Sequence, residues 1–141
     1  MILYLGTSSL VKLYAEEPYS DVVREWVREA EIAATCRVAY TEIISALDIR
    51  FRGNDLTERE YEKFMKAFAR DWINFAIVDF DDIEAGLLLK KYGLRRLDAM
   101  HLSAAKLIKK ERTGITLLFS SLDEKLCSAA AAEGLKVLNF C

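Results

Sequence analysis

The stretch MILYLGTSSLVKLY, residues 1–14, decides how the rest of the chain is read. Its apolar run, Ile2–Leu5, is short and bounded, the form of a strand buried on both faces. The run breaks at Gly6, Thr7, Ser8 and Ser9 and resumes in a helical pattern over 10–14. A buried strand that ends in small polar residues and enters a helix is how α/β proteins set chemistry at the carboxyl edge of a sheet. Three downstream acids, Glu42, Asp98 and Asp123, are placed to share that edge. Position 6, where a fourth carboxylate would complete the set, is glycine.

A length of 141 residues suits one domain, 1–141, with a sizeable core. Apolar content of 52% with a single proline points to a compact chain rather than a disordered one. The formal net charge is −2, whereas proteins that bind nucleic acid mainly through its phosphates are usually basic. Any contact with RNA or DNA therefore rests on a local site, or on positive charge supplied by a partner. No stretch is long and apolar enough to suggest a membrane span, and the opening lacks the basic lead-in of a signal peptide. Cys36, Cys127 and Cys141 have no metal-like spacing, which favours reduced thiols and a cytoplasmic setting.

Strand and helix signals alternate along the chain. Ser20 is placed to cap a helix whose apolar side carries Val22, Val23, Trp26 and Val27. Residues 31–36 read as a second strand and 38–51 as a helix stopped by Gly53 and Asn54. Thr57 and Glu60 have capping-box spacing, opening a helix toward Trp72 with Tyr61, Phe64, Met65 and Phe68 as its apolar stripe. Residues 75–78 read as a strand. Asp81 and Glu84 start a helix that ends near Gly93, and a long helix follows over 97–110. Residues 115–119 form the clearest strand, 124–132 a helix, and 135–140 a last short strand. The alternation predicts an α/β fold with a central parallel sheet of about four to five strands, flanked by helices.

Gathering carboxylates at one edge is unfavourable, because like charges repel and each loses solvent. A hard divalent cation offsets that repulsion. Mg²⁺ takes octahedral oxygen ligands, usually one or two carboxylates with several waters. It lowers the pKa of bound water and stabilises charge on a phosphoryl oxygen, which makes phosphodiester hydrolysis the matching reaction class. A structural reading stands beside this one: Asp98 and Asp123 as helix caps or first-turn acids, and Glu42 as a complement to the helix dipole.

The motifs resemble a known family. YLGTSSLVKLY is similar to the opening of PIN-domain proteins, where a strand ends in Asp and a small hydroxyl pair. Thr41-Glu42-Ile43 with Ala46-Leu47 resembles the family's second acidic motif, Leu97-Asp98-Ala99-Met100-His101-Leu102-Ser103-Ala104-Ala105 its third, and Phe119-Ser120-Ser121-Leu122-Asp123 its fourth. The likeness extends over essentially the whole chain and is nearest the small VapC-type toxins of toxin–antitoxin pairs. It implies an endoribonuclease dependent on Mg²⁺ or Mn²⁺, held inactive by a cognate antitoxin and paired as a homodimer. Glu42, Asp98 and Asp123 match the metal-site acids, and Ser8 matches a supporting hydroxyl. Gly6 stands where the family has its first Asp, which implies impaired metal binding and turnover. A deliberate disabling substitution, a chance change selected against toxicity, or a naturally non-catalytic PIN domain that binds protein or RNA would each account for it.

His101, the only histidine, lies three residues after Asp98 on an apolar helix, and reads better as a packed, hydrogen-bonded side chain than as a general base. Arg95 and Arg96 beside Asp98 are the basic residues best placed to contact RNA. Lys90, Lys91, Lys106, Lys109, Lys110 and Arg112 either extend that rim or form solvated helix faces. The 61–72 stripe or the Val22 and Trp26 face offers apolar surface for an antitoxin helix.

Overall fold

The computed structural model describes residues 1–138, so Phe140 and Cys141 lie outside the described residues. Strand β1 (Ile2–Leu5) is buried throughout, as a mainly aliphatic run requires. It pairs in parallel on both sides, Leu3 opposite Ala33 of β2 (Ile32–Cys36) and opposite Leu118 of β4 (Leu117–Ser120). Strand β3 (Ala76–Val78) lies beyond β2, and β5 (Lys136–Val137) beyond β4. The sheet is parallel and five-stranded, in the order β3-β2-β1-β4-β5, as the alternation predicted.

Side chains alternate along a strand, so β1 feeds two cores. Ile2 and Tyr4 pack with Leu88, Leu102, Phe119 and Leu126. Leu88 lies on helix α5 (Asp82–Tyr92), Leu102 on α6 (Arg96–Glu111) and Leu126 on α7 (Glu124–Ala132). Leu3 and Leu5 pack on the other side with Leu10, Val23, Ile43, Leu47 and Phe68. These residues come from α1 (Thr7–Leu10), α2 (Ser20–Glu29), α3 (Ala39–Arg52) and α4 (Glu58–Trp72). The chain leaves β1 toward β2 and later returns on the opposite side as β4. In such sheets the carboxyl ends of the two strands at this reversal flank a crevice suited to ligands. Gly6 sits there, its N–H donating to the Ser120 carbonyl at 2.9 Å and extending the ladder past the strand.

The local stop and start signals act largely as expected. Thr57 and Glu60 form the reciprocal capping box, and Asp81 caps α5 by accepting the Glu84 N–H. Gly93 ends α5 with a φ of 66°. Four details differ. Ser20 is the first residue of α2, not its cap: its hydroxyl accepts the Glu17 N–H and donates to the Ala15 carbonyl, tying down the preceding turn. At the end of α3 the left-handed residue is Asn54, with a φ of 63°, whereas Gly53 keeps a negative φ. The strand expected from 115 begins at Leu117, because Ile115 still bonds back to the Arg112 carbonyl in the turn after α6. The last strand is two residues long within the described residues.

Glu133, at the end of α7, accepts from Lys106 at 2.6 Å, from Lys91 at 3.0 Å and from the Tyr92 hydroxyl, joining α5, α6 and α7. Lys106, Tyr92 and Lys91 hold its carboxyl down to about 2 from an ordinary value of 4.5. A depressed folded value means the stabilisation is complete above the unfolded value and lost as pH falls through the folded one. Glu133→Gln should therefore lower the urea midpoint at pH 7. The gap to the parent chain should close as the pH drops from about 4.5 toward 2.

Candidate active site

Helix α3 buries Ile43 and Leu47, which leaves Glu42 in its first turn at the carboxyl edge of the sheet. The Thr7 hydroxyl, just past β1, donates to Glu42 Oε1 at 2.7 Å. His101 Nε2 lies 2.8 Å from the same oxygen and 2.9 Å from Thr7 Oγ1. The histidine is only 1% exposed, and its other nitrogen, Nδ1, is 2.6 Å from the Tyr4 hydroxyl. Burial pushes the Tyr4 phenol well above its ordinary pKa, and the neighbouring Cys36 and Glu42 push it further. His101 is thus packed and hydrogen-bonded, as expected, and it also touches a site carboxylate, which spacing alone did not indicate.

Asp98 and Asp123 arrive from two other helices. Asp98 lies in the first turn of α6. Asp123 caps α7, its Oδ1 accepting the Leu126 N–H at 2.8 Å. Arg95 joins them: Nε donates to Asp98 Oδ2 at 3.0 Å and Nη2 to Asp123 Oδ2 at 3.1 Å. Asp98 first, and then Asp123, raise the Arg95 pKa. Ser8 supports the loop before Asp123. Its Oγ accepts the Leu122 N–H at 2.9 Å and lies 3.2 Å from Ser121 Oγ, which accepts the Asp123 N–H at 3.1 Å. Ser9 and Ser120 are linked by a hydroxyl contact of 2.7 Å across the same strand ends.

A cleft of about 480 Å³ is lined by Glu42, Arg95, Arg96, Leu97 and Asp98. A second hollow of about 390 Å³ shares Glu42 and Leu97 and adds Thr7 and Ile49. Glu42 and Asp98 therefore face one cleft, while Asp98 and Asp123 share one guanidinium. Lys91 and Lys106 are taken up by Glu133, and Lys109 donates to the Gly134 carbonyl, so these three serve helix packing rather than a phosphate rim. The three acids are hard oxygen donors, the chemistry that suits Mg²⁺. Their arrangement does not fit an ion. Among the described residues no three His, Cys, Asp or Glu side chains come together as a metal site, Arg95 spans two of the acids, and Gly6 contributes no donor.

The model of the PIN domain matches residues 3–133. The chain belongs to the PIN-domain family. Two curated relatives come from Mycobacterium tuberculosis (strain ATCC 25618 / H37Rv). Ribonuclease VapC46 is 30% identical over 141 residues, covering 96% of this chain and 95% of the relative. Ribonuclease VapC49 is 29% identical over 143 residues, covering 96% and 94%. The crystal structure of FitAcB from Neisseria gonorrhoeae superposes on this PIN domain with a TM-score of 0.64 at 15% identity, covering 99% of this chain and 97% of that one. That likeness shows the shared fold.

Two contributors escaped the sequence reading, Thr7 and Tyr4. Thr7 was only part of the break after β1. Tyr4 carried a signal: a tyrosine inside an otherwise aliphatic buried run needs a partner for its hydroxyl. Removing the Ser8 hydroxyl should free the loop before Asp123. Ser8→Ala should lower stability by about 0.5–1.5 kcal/mol, the range for one ordinary hydrogen bond, since the bond is only part-buried, and hydrogen exchange should show faster loss of protection at Leu122.

Proposed function

We propose that the chain is an endoribonuclease of the VapC type, impaired as it stands by Gly6. What carries this reading is similarity at 30% identity, over nearly the full length of both chains, to a protein named a ribonuclease. Glu42, Asp98 and Asp123 are its site acids. The parent activity requires Mg²⁺ or Mn²⁺, and a carboxylate at position 6 is the missing member of the set. Arg96 on the cleft rim, and Arg95 once released from its carboxylates, would contact RNA phosphates, which gives an acidic protein a local site for an anionic substrate. A cognate antitoxin, self-association as a homodimer and a cytoplasmic setting complete the proposal. Among the described residues, no helix is long and apolar enough to cross a membrane.

A second reading, a non-catalytic PIN domain that binds protein or RNA, draws on one observation. Arg95 pairs with both Asp98 and Asp123, which gives these acids a partner other than an ion.

The backbone can accept the missing side chain. Gly6 has φ −69° and ψ 163°, ordinary for any L-residue. A Cβ there would lie 3.3 Å from the Ser120 carbonyl oxygen and 3.5 Å from Ser121 Cβ, so the neighbouring strand end must yield by a few tenths of an ångström. Gly6→Asp should therefore fold and gain cleavage of RNA that Mg²⁺ or Mn²⁺ supports and EDTA stops. Asp98→Ala in that background should return it to background. RNA cleavage by neither chain across structured and unstructured substrates, with both chains folded, would favour the binding module.

A further inference from the structure

Glu42 is held through one of its two oxygens. The Thr7 hydroxyl at 2.7 Å and His101 Nε2 at 2.8 Å both meet Oε1, and no hydrogen bond to Oε2 is found among the described residues. His101 Nε2 must carry a proton for this contact to exist. An unprotonated Nε2 would set its lone pair against a carboxylate oxygen at 2.8 Å, with nothing between them. The proton on Nε2 leaves Nδ1 free to accept from Tyr4, 2.6 Å away. The phenol keeps its proton, since burial resists its ionisation. Tyr4 is wholly buried and its ring stacks on Phe119 at 5.4 Å, which holds its hydroxyl oxygen beside Nδ1. A hydrogen-bonded line thus runs from the middle of β1, through α6, to the first turn of α3.

We propose that His101 is a positioning residue that donates from Nε2 to Glu42 Oε1, with Tyr4 bonded to the unprotonated Nδ1, so that Glu42 meets a ligand through Oε2 alone. Buried polar groups in apolar surroundings persist when each is satisfied, and here every member satisfies the next. The relay exists whatever the chain does; its consequence for turnover rests on the nuclease reading.

His101 is the only histidine, so a ¹⁵N-labelled chain gives one imidazole to observe. Long-range proton–nitrogen correlation at neutral pH should show protonated Nε2 and unprotonated Nδ1. Tyr4→Phe keeps the stacked ring and removes the donor to Nδ1, and should shift the Nδ1 resonance toward that of a ring nitrogen with no hydrogen bond while Nε2 stays protonated. Protonated Nδ1 with bare Nε2 in the parent chain, or no change in Tyr4→Phe, would overturn the assignment. The consequence is tested in the Gly6→Asp chain. His101→Leu should lower kcat by about tenfold or more, the usual scale for losing a partner of a site ligand, with KM little changed. His101→Gln, which can offer an N–H near the Nε2 position, should recover part of the loss. A folded His101→Leu chain with full kcat would overturn the positioning role. If Gly6→Asp cleaves nothing, the nuclease reading fails, while the nitrogen spectrum still decides where the proton sits. If His101→Leu does not fold, that spectrum and Tyr4→Phe decide the assignment.

Discussion

Leu3, Tyr4 and Leu5 of β1 are wholly buried, and both edges of the strand are bonded to parallel neighbours. A slip of one residue would exchange its two faces. Tyr4 would leave its contacts with Phe119 and His101, and the leucines would leave the core built by α1 to α4. The register of this strand therefore controls more than packing. It places Gly6 and Thr7 against the end of β4 and the start of α3. The residues of the cleft inherit their positions from that placement.

The chemistry at the edge depends on how three acids are tolerated. Close carboxylates repel, and desolvation adds to the penalty. In this chain the charge is divided. Arg95 spans Asp98 and Asp123, while Glu42 is held by an uncharged hydroxyl and by the imidazole N–H. Gly6 adds no side chain to the same place. The acids present are hard oxygen donors, but Arg95 engages two of them and Gly6 supplies none. Asp123 serves the protein locally as the cap of α7, so the structural reading of that residue and its place beside the site hold together.

Local signals were legible where their range is short. The capping box of Thr57 and Glu60 acts across three residues, as does the cap of Asp81, and both lie where spacing put them. Gly93 stops α5 because the left-handed turn there suits a residue without a side chain. Legibility failed where a neighbour outside the local window decides. Ser20 has the composition of a cap, but the turn from Ala15 to Glu17 offers its hydroxyl better partners. For Lys91 and Lys106 a basic rim and a solvated helix face both stood open, and they close instead on Glu133, which lies 42 and 27 residues away.

The sequence by itself determined the fold class, the carboxyl-edge placement of Glu42, Asp98 and Asp123, and the lack of a side chain at position 6. Strand burial, helix periodicity and caps are set within a few residues, so a linear pattern carries them. Only the tertiary structure decided who holds whom. Tyr4 and His101 are 97 residues apart in the chain, His101 and Glu42 are 59 apart, and Arg95 and Asp123 are 28 apart. Those contacts follow from sheet order and strand register, which bring distant elements to one edge, and hydrogen bonds require placement to within a few tenths of an ångström. No local periodicity encodes that placement.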